Sequence, residues 1–250
     1  MKKCFKVFIG ASAVAGAATG VALLYKNAAD GVKNLPATFT VTAHTGCEGT
    51  KDNSVESIIT AGKSGADVTE FDLRFDKSGG GILAHDDNEI NSVTLEKALG
   101  TVSAFDSLKV NVDCKTTDNL KEVYRLGEEL GITERLFYTG IEEKDVQAAQ
   151  LQTPQIPYYL NYKVNRSKKN DEQYIRSLIV LVKEKGALGL NINHGLCSKK
   201  MVEMFREEGL AVSVWTANDV FSMIKCLSFS PDNITTRYPA TLIKLINHFK

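Results

Sequence analysis

The sequence predicts a closed (β/α)8 barrel of the TIM type, with a hairpin extension after the second strand. Three observations lead there. From residue 38 onward, apolar runs of strand length alternate with stretches carrying apolar residues at helical spacing. The chain has 250 residues, a length that suits one barrel domain. Its 43% hydrophobic content supplies a single large core.

Strand candidates fall at 38–44, 67–75, 81–85, 108–114, 135–139, 157–162, 187–193, 210–216 and 233–237. Helical spacing appears over 54–64, 95–104, 119–130, 143–150, 171–185, 198–208 and 218–228. Several of these helices run into a glycine where a C-terminal cap belongs, at Gly65, Gly131, Gly186 and Gly209. Nine strands are one more than a barrel needs. The run at 81–85 follows 67–75 after only Asp76-Lys77-Ser78-Gly79-Gly80. A parallel crossover takes about a dozen residues, so this connection is a hairpin. The strand at 67–75 then overshoots the rim, 81–85 folds back along it, and eight parallel strands remain to close.

Residues 1–36 stand apart from the barrel expected over 37–250. Residues 7–25 carry no charge, follow Lys2, Lys3 and Lys6, and precede Lys26. A basic start before an apolar run marks a signal peptide or signal anchor. The run is just long enough to span a bilayer, and its small-residue steps come too early for a cleavage site, which favours an uncleaved anchor. That reading puts the barrel outside the cytoplasmic membrane, anchored or, if the segment is cleaved, secreted. A buried N-terminal helix is the alternative. Residues 26–36 read as polar linker.

Lysine plus arginine and aspartate plus glutamate each total 30, so the net charge is zero. A chain without a basic surface is a poor nucleic-acid binder, and no protein partner is implied. The cysteines, at 4, 47, 114, 197 and 226, show no CxxC spacing, which argues against structural zinc. Most read as free thiols, with a Cys47–Cys197 disulfide as an open possibility.

Ionisable residues gather at three adjacent strand ends. Glu70 and Asp72 are two apart and share a face of their strand. His44 ends the first strand, the returning hairpin strand brings His85 to the same rim, and Asp113 and Lys115 lie at the end of the next barrel strand. Barrel enzymes keep their active sites at this face. Three neighbouring carboxylates suit a hard divalent cation, magnesium or calcium, because oxygen ligands favour these over zinc. Lys115 adds positive charge beside them. Two imidazoles can serve as base and acid on opposite sides of an in-line displacement at phosphorus. Asn191 and Asn193 line the pocket or cap their strand. Trp215 is a substrate platform or part of the core.

The stretch from His44 to Asp86 resembles the glycerophosphodiester phosphodiesterase family. That family opens with His-Arg-Gly, Glu-Asn, Gly-Ala-Asp, Glu-x-Asp, a Lys-Asp-Gly-like turn and His-Asp. This chain has His44-Thr45-Gly46, Asp52-Asn53, Gly65-Ala66-Asp67, Glu70-Phe71-Asp72, Lys77-Ser78-Gly79 and His85-Asp86. Further on, Ser92 to Leu99 resembles the Pro-Thr-Leu-Glu-Glu element, and Val112-Asp113-Cys114-Lys115 resembles Glu-Ile-Lys. Val214-Trp215-Thr216-Ala217-Asn218 is similar to Val-Trp-Thr-Val-Asn, and Ile234 to Pro239 is similar to Ile-Thr-Thr-Asp-Tyr-Pro. The likeness spans nearly all of 38–245. It implies a magnesium- or calcium-dependent enzyme that releases an alcohol and glycerol 3-phosphate, often with the substrate's neighbouring hydroxyl as attacker. It also implies His44 and His85 as catalytic residues, Glu70, Asp72 and Asp113 as metal ligands, and Lys115 as a phosphate contact.

The chain departs from the pattern at Thr45, where the family has the arginine that contacts phosphate, and at Asp52 and Asp113, where it has glutamate. It departs again at Arg237, where an aspartate is usual, and in the few residues between His85 and Thr94, where a lid is normally inserted. Two other readings follow. Sphingomyelinase D and phospholipase D barrels, which act on lysophospholipids, also follow an acidic Asp with Lys two residues later. The departures at Thr45 and Arg237 point instead to a catalytically weak barrel that binds phosphate head groups.

Overall fold

Alternation along each strand builds the barrel wall. This computed structural model describes residues 20–89 and 93–250. Its strands are β1 (Thr40–Ala43), β2 (Val68–Phe75), β3 (Gly81–Leu83), β4 (Lys109–Cys114), β5 (Leu136–Ile141), β6 (Tyr158–Asn161), β7 (Gly189–Asn193), β8 (Ala211–Trp215) and β9 (Asn233–Thr236). They form one sheet in the order β1-β9-β8-β7-β6-β5-β4-β2-β3, and a parallel β1–β2 pairing closes it. The eight barrel strands are mutually parallel. β3 stands outside the ring, antiparallel to the upper half of β2, with Leu73 opposite Leu83 and Phe75 opposite Gly81. The five-residue link thus makes the expected hairpin.

Helices α2 (Val55–Lys63), α3 (Leu95–Ser103), α4 (Leu120–Glu129), α5 (Val146–Gln152), α6 (Glu172–Glu184), α7 (Lys199–Glu207), α8 (Val220–Leu227) and α9 (Pro239–Phe249) surround the barrel. Ser54, Thr94, Asp171, Ser198 and Asp219 cap the N-termini of α2, α3, α6, α7 and α8, each side chain accepting a backbone N–H three residues on. Gly65, Gly131, Gly186 and Gly209 all take positive φ just past a helix, as the sequence requires of a cap. The helix α9, absent from the sequence reading, completes the eighth β/α unit.

The apolar core lies between strands and helices. Val110 and Val112 of β4, Leu190 and Ile192 of β7, and Val212 and Val214 of β8 are fully buried there. The alternate residues face the barrel axis, and they are polar: Thr42, Glu70, Asp72, Asn111, Asn191, Ser213, Asn233 and Thr235 are all buried. β7 and β8 approach closely where Gly189 pairs with Ala211, and a Cβ on Gly189 would overlap the Ala211 carbonyl. Gly189→Ala is expected to destabilise the fold by roughly 1–3 kcal/mol through overpacking, measured as the shift of the urea midpoint at constant m.

Residues 20–33 form helix α1, which includes most of the stretch read as polar linker. Ala28 and Val32 are buried, the Ser230 hydroxyl donates to the Gly31 carbonyl (2.8 Å), and Tyr25 meets Phe249 edge-on at 5.8 Å. Packing of this small-residue face against α8 and α9 outweighs the polar composition of 26–33. Cys4, residues 7–19 of the expected anchor, and Ser92 lie outside the described residues. Among the described residues no helix is long and apolar enough to cross a membrane. Cys47, Cys114, Cys197 and Cys226 are free and buried, so the disulfide considered between Cys47 and Cys197 does not form. Cys47 packs with Ala43, Ala61 and Ala66 under α2, and Cys197 sits beside α7, its thiol 3.8 Å from the Ser198 carbonyl.

Candidate active site

The strand register sets the acidic cluster. Asp72 on β2 pairs level with Asp113 on β4, and Glu70 pairs with Asn111 one step below. One oxygen from each of Glu70, Asp72 and Asp113 falls within 4.8 Å of the others. Glu70 and Asp72 are buried, and Asp113 is partly exposed to the cavity. Burial, then the charges of Asp72 and Asp113, hold the Glu70 carboxyl well above the usual carboxylate range. Such a cluster needs positive charge. Lys115 provides some, its ammonium 2.9 Å from Asp72 Oδ1 and bonded also to Asp113 Oδ2. Buried hard oxygens in this number also fit a magnesium or calcium ion.

Each carboxylate is aimed by a neighbour. The Thr45 backbone N–H donates to Glu70 Oε2 at 2.7 Å. Asn53 grips Asp72 twice: its Nδ2 donates to Asp72 Oδ2 (2.9 Å) and its Oδ1 accepts the Asp72 N–H (3.0 Å). Asn53 has φ 53°, a left-handed conformation that asparagine tolerates, and its own N–H donates to the Thr45 hydroxyl at 2.6 Å. Thr45, at the family's arginine position, is therefore buried and fastened to the loop that orients Asp72. The Thr139 hydroxyl lies 2.6 Å from Asp113 Oδ1 and 2.8 Å from Asn111 Oδ1.

His44 and His85 both line the cavity above this cluster, with Glu70, Asp72, Asp113, Lys115, Asn191 and Trp215. The cavity holds about 580 Å³. All eight site residues expected from the sequence therefore meet in one place. The His44 Nδ1 lies 2.9 Å from the Thr45 carbonyl. A carbonyl only accepts, so the neutral ring carries its proton on Nδ1 and leaves the Nε2 lone pair bare. Burial, reinforced by the Arg237 charge, pulls the His44 pKa below its ordinary 6.5, against the raising effect of the Thr45 carbonyl and the nearby carboxylates. His85 is 63% exposed on the rim, its Nδ1 3.0 Å from Asp86 Oδ1. Its backbone is fixed by Glu89, which accepts its N–H at 2.7 Å, and by Arg74, which donates to its carbonyl at 2.9 Å.

Asn191 belongs to a hydrogen-bonded belt across the barrel interior. Its Nδ2 donates to Asn161 Oδ1 (3.0 Å), its Oδ1 accepts from the Ser213 hydroxyl (2.9 Å), and the belt continues through Asn233 to Thr42 on β1. Of this belt, Asn161 and Asn191 reach the cavity surface. Trp215 is 38% exposed, which decides for a wall of the cavity over the core. A second hollow, lined by Tyr162, Lys163, Arg166 and Leu196, meets the first at Asn161, Asn191 and Trp215. Sequence reading missed Asn111, Thr139 and Asn161, and gave Asn53 as part of the Asp52-Asn53 motif without a role. For Asn111 the signal was available, since it lies two residues before Asp113 on the same face.

No family profile matches the chain, and no curated protein matches it in sequence. Solved structures do match. A glycerophosphodiester phosphodiesterase from Parabacteroides distasonis superposes with a TM-score of 0.68 at 18% identity, over 84% of this chain and 98% of that one. An Oleispira antarctica phosphodiesterase, solved with the product sn-glycerol-3-phosphate, gives 0.67 at 18% identity over 87% and 99%. A glycerophosphodiester phosphodiesterase from Thermotoga maritima gives 0.65 at 18% identity over 83% and 98%. The chain thus has the TIM-type barrel of the glycerophosphodiester phosphodiesterases. Identity at this level establishes the shared fold and no more.

Proposed function

We propose that this protein is a metal-dependent phosphodiesterase that cleaves glycerophosphodiesters to an alcohol and sn-glycerol 3-phosphate. The observation that carries the reading is the cavity itself, in which two histidines stand over three carboxylates gathered within 4.8 Å. Barrels of the same fold that are glycerophosphodiester phosphodiesterases support it, one of them solved with sn-glycerol-3-phosphate.

Glu70, Asp72 and Asp113 would hold a magnesium or calcium ion. When bound, the ion neutralises charge on the phosphate and fixes one of its oxygens. The remaining work falls to the chain. His44 takes the proton from the attacking oxygen at Nε2, the nitrogen its Thr45 contact leaves bare, and its lowered pKa keeps that nitrogen unprotonated at neutral pH. His85, on the open rim beside Asp86, gives a proton to the departing alcohol oxygen. Lys115 keeps its charge against Asp72 and Asp113 and offers its field to the phosphate. Trp215 walls the path to the second hollow, which would receive the alcohol moiety.

A panel of glycerophosphodiesters and lysophospholipids, assayed with magnesium or calcium, tests the assignment. Release of sn-glycerol 3-phosphate and free alcohol is expected. Release of choline from a lysophospholipid with no action on any glycerophosphodiester would place the chain with the sphingomyelinase D type instead. Binding without turnover of any diester would leave the head-group-binding barrel. We propose further that the uncharged run 7–25 after Lys2, Lys3 and Lys6 anchors the barrel outside the cytoplasmic membrane. Recovery of all tagged protein in the soluble cytosol would exclude this.

A further inference from the structure

The cavity also holds an ion pair between Arg237 and Asp52. Arg237 follows β9, and its Nη1 and Nη2 donate to Asp52 Oδ1 and Oδ2 at 2.6 and 2.9 Å, a two-pronged contact. The backbone of Arg237 is fixed on both sides: its N–H donates to Asn218 Oδ1 and its carbonyl accepts the Glu48 N–H, each at 2.8 Å. Gly46, at φ 71°, leaves room for the pair, since a Cβ there would collide with the Asp52 carboxylate and with Arg237 Nη1. Both residues line the same cavity as His44, Glu70 and Asp72.

Among the described residues lining that cavity, the permanent cations are Lys115 and Arg237. Lys115 is committed to Asp72 and Asp113. A guanidinium carries five N–H groups, and the Asp52 contact uses one on each Nη, so three donors remain. Asp52 fixes the plane of the fork and offsets its charge, which suits a ligand of single negative charge such as a phosphodiester. The Arg237 charge is felt at His44, and the charges of Glu70 and Asp72 are felt at Arg237. An anion held there therefore lies next to both the proposed base and the carboxylate cluster.

We propose that Arg237, oriented by Asp52, is an anion-binding site that holds a non-bridging oxygen of the substrate phosphate on the His44 side of the cavity. The identity of that phosphate as a diester rests on the phosphodiesterase reading; the anion site itself does not.

The test measures affinity for inorganic phosphate and sn-glycerol 3-phosphate by isothermal titration in excess magnesium, with the folded state checked by circular dichroism. Arg237→Gln is expected to weaken both ligands about tenfold to hundredfold, the loss of one or two charge-assisted hydrogen bonds. Arg237→Lys should recover part of the loss. The double variant Asp52→Asn, Arg237→Gln leaves no stranded carboxylate and should match Arg237→Gln. In turnover of a glycerophosphodiester, KM should rise more than kcat falls. Unchanged phosphate affinity in folded Arg237→Gln and in the double variant would overturn the proposal, as would absence of phosphate binding to the unaltered protein. Weakened phosphate binding in a chain that hydrolyses no diester would sustain the anion site while the phosphodiesterase reading falls.

Discussion

Replacing His44 or His85 with alanine is expected to cut turnover of a glycerophosphodiester at least a hundredfold, with the barrel intact. Displacement at phosphorus needs a base for the attacking oxygen, whether water or a neighbouring hydroxyl of the substrate, and an acid for the leaving one. Each such transfer is typically worth about 10²–10⁴-fold. The two rings differ in ways that separate their roles. His44 is the more buried, and its Nδ1 proton is tied to the Thr45 carbonyl at 2.9 Å. Its pKa lies below 6.5, so the unprotonated base predominates from that point upward and the acid limb of the rate profile falls on the low side of 6.5. His44→Ala should abolish that limb. His85 lies on the exposed rim, where an alcohol can leave. A nitrophenyl ester, whose leaving group needs no proton, should restore much of the rate to His85→Ala and little to His44→Ala. Near-normal rates in both variants across pH would make the histidines structural and remove the main support for the proposed function.

The barrel was legible because its two periodicities are clean. Polar and apolar residues alternate on β1, β2, β4, β7 and β8, and α2, α6 and α7 each carry both an N-terminal cap and a closing glycine. The acidic cluster was legible for the same reason: Glu70 and Asp72 stand two apart, and parallel pairing puts Asp113 level with Asp72. What escaped depends on contacts distant in sequence. Asn53 belongs to a motif visible in the sequence, but its grip on Asp72, 19 positions away, appears only in the fold. Arg237 stood out as an oddity, yet its partner Asp52 is 185 residues distant. A buried N-terminal helix stood as the alternative for the apolar run, but the part of α1 over 26–33 was hidden because that stretch is polar in composition, while the few small residues that dock, Ala28 and Gly31, carry little hydrophobic signal.

Divalent metal is expected to reverse the pH dependence of stability, and Glu70 is the reason. Its carboxyl is held well above the usual range by burial and by Asp72 and Asp113. Above the ordinary carboxylate pKa, the unfolded chain has released this proton while the native protein still binds it. At this group native protein then holds more protons than unfolded protein, so the contribution of Glu70 to stability in chelator falls as pH rises through that window. The ammonium of Lys115 offsets part of the repulsion without removing it. A metal ion requires the ionised carboxylate, so it binds more tightly as pH rises and restores what ionisation costs. At a hundred times its Kd, a ligand adds about 2.7 kcal/mol, or roughly 5–10 °C in Tm for a chain of this size. Magnesium or calcium should therefore raise Tm more at pH 8 than at pH 5. Glu70→Gln removes the strained charge but keeps an acceptor for the Thr45 N–H. It should be more stable than the unaltered protein at pH 8 in chelator, show little metal-induced shift, and lose activity. Glu70→Ala and Asp72→Ala should likewise lose both metal binding and turnover while the fold survives. Turnover that persists through exhaustive chelation, or a metal-induced shift that is undiminished in Glu70→Gln, would show that the three carboxylates do not hold the ion.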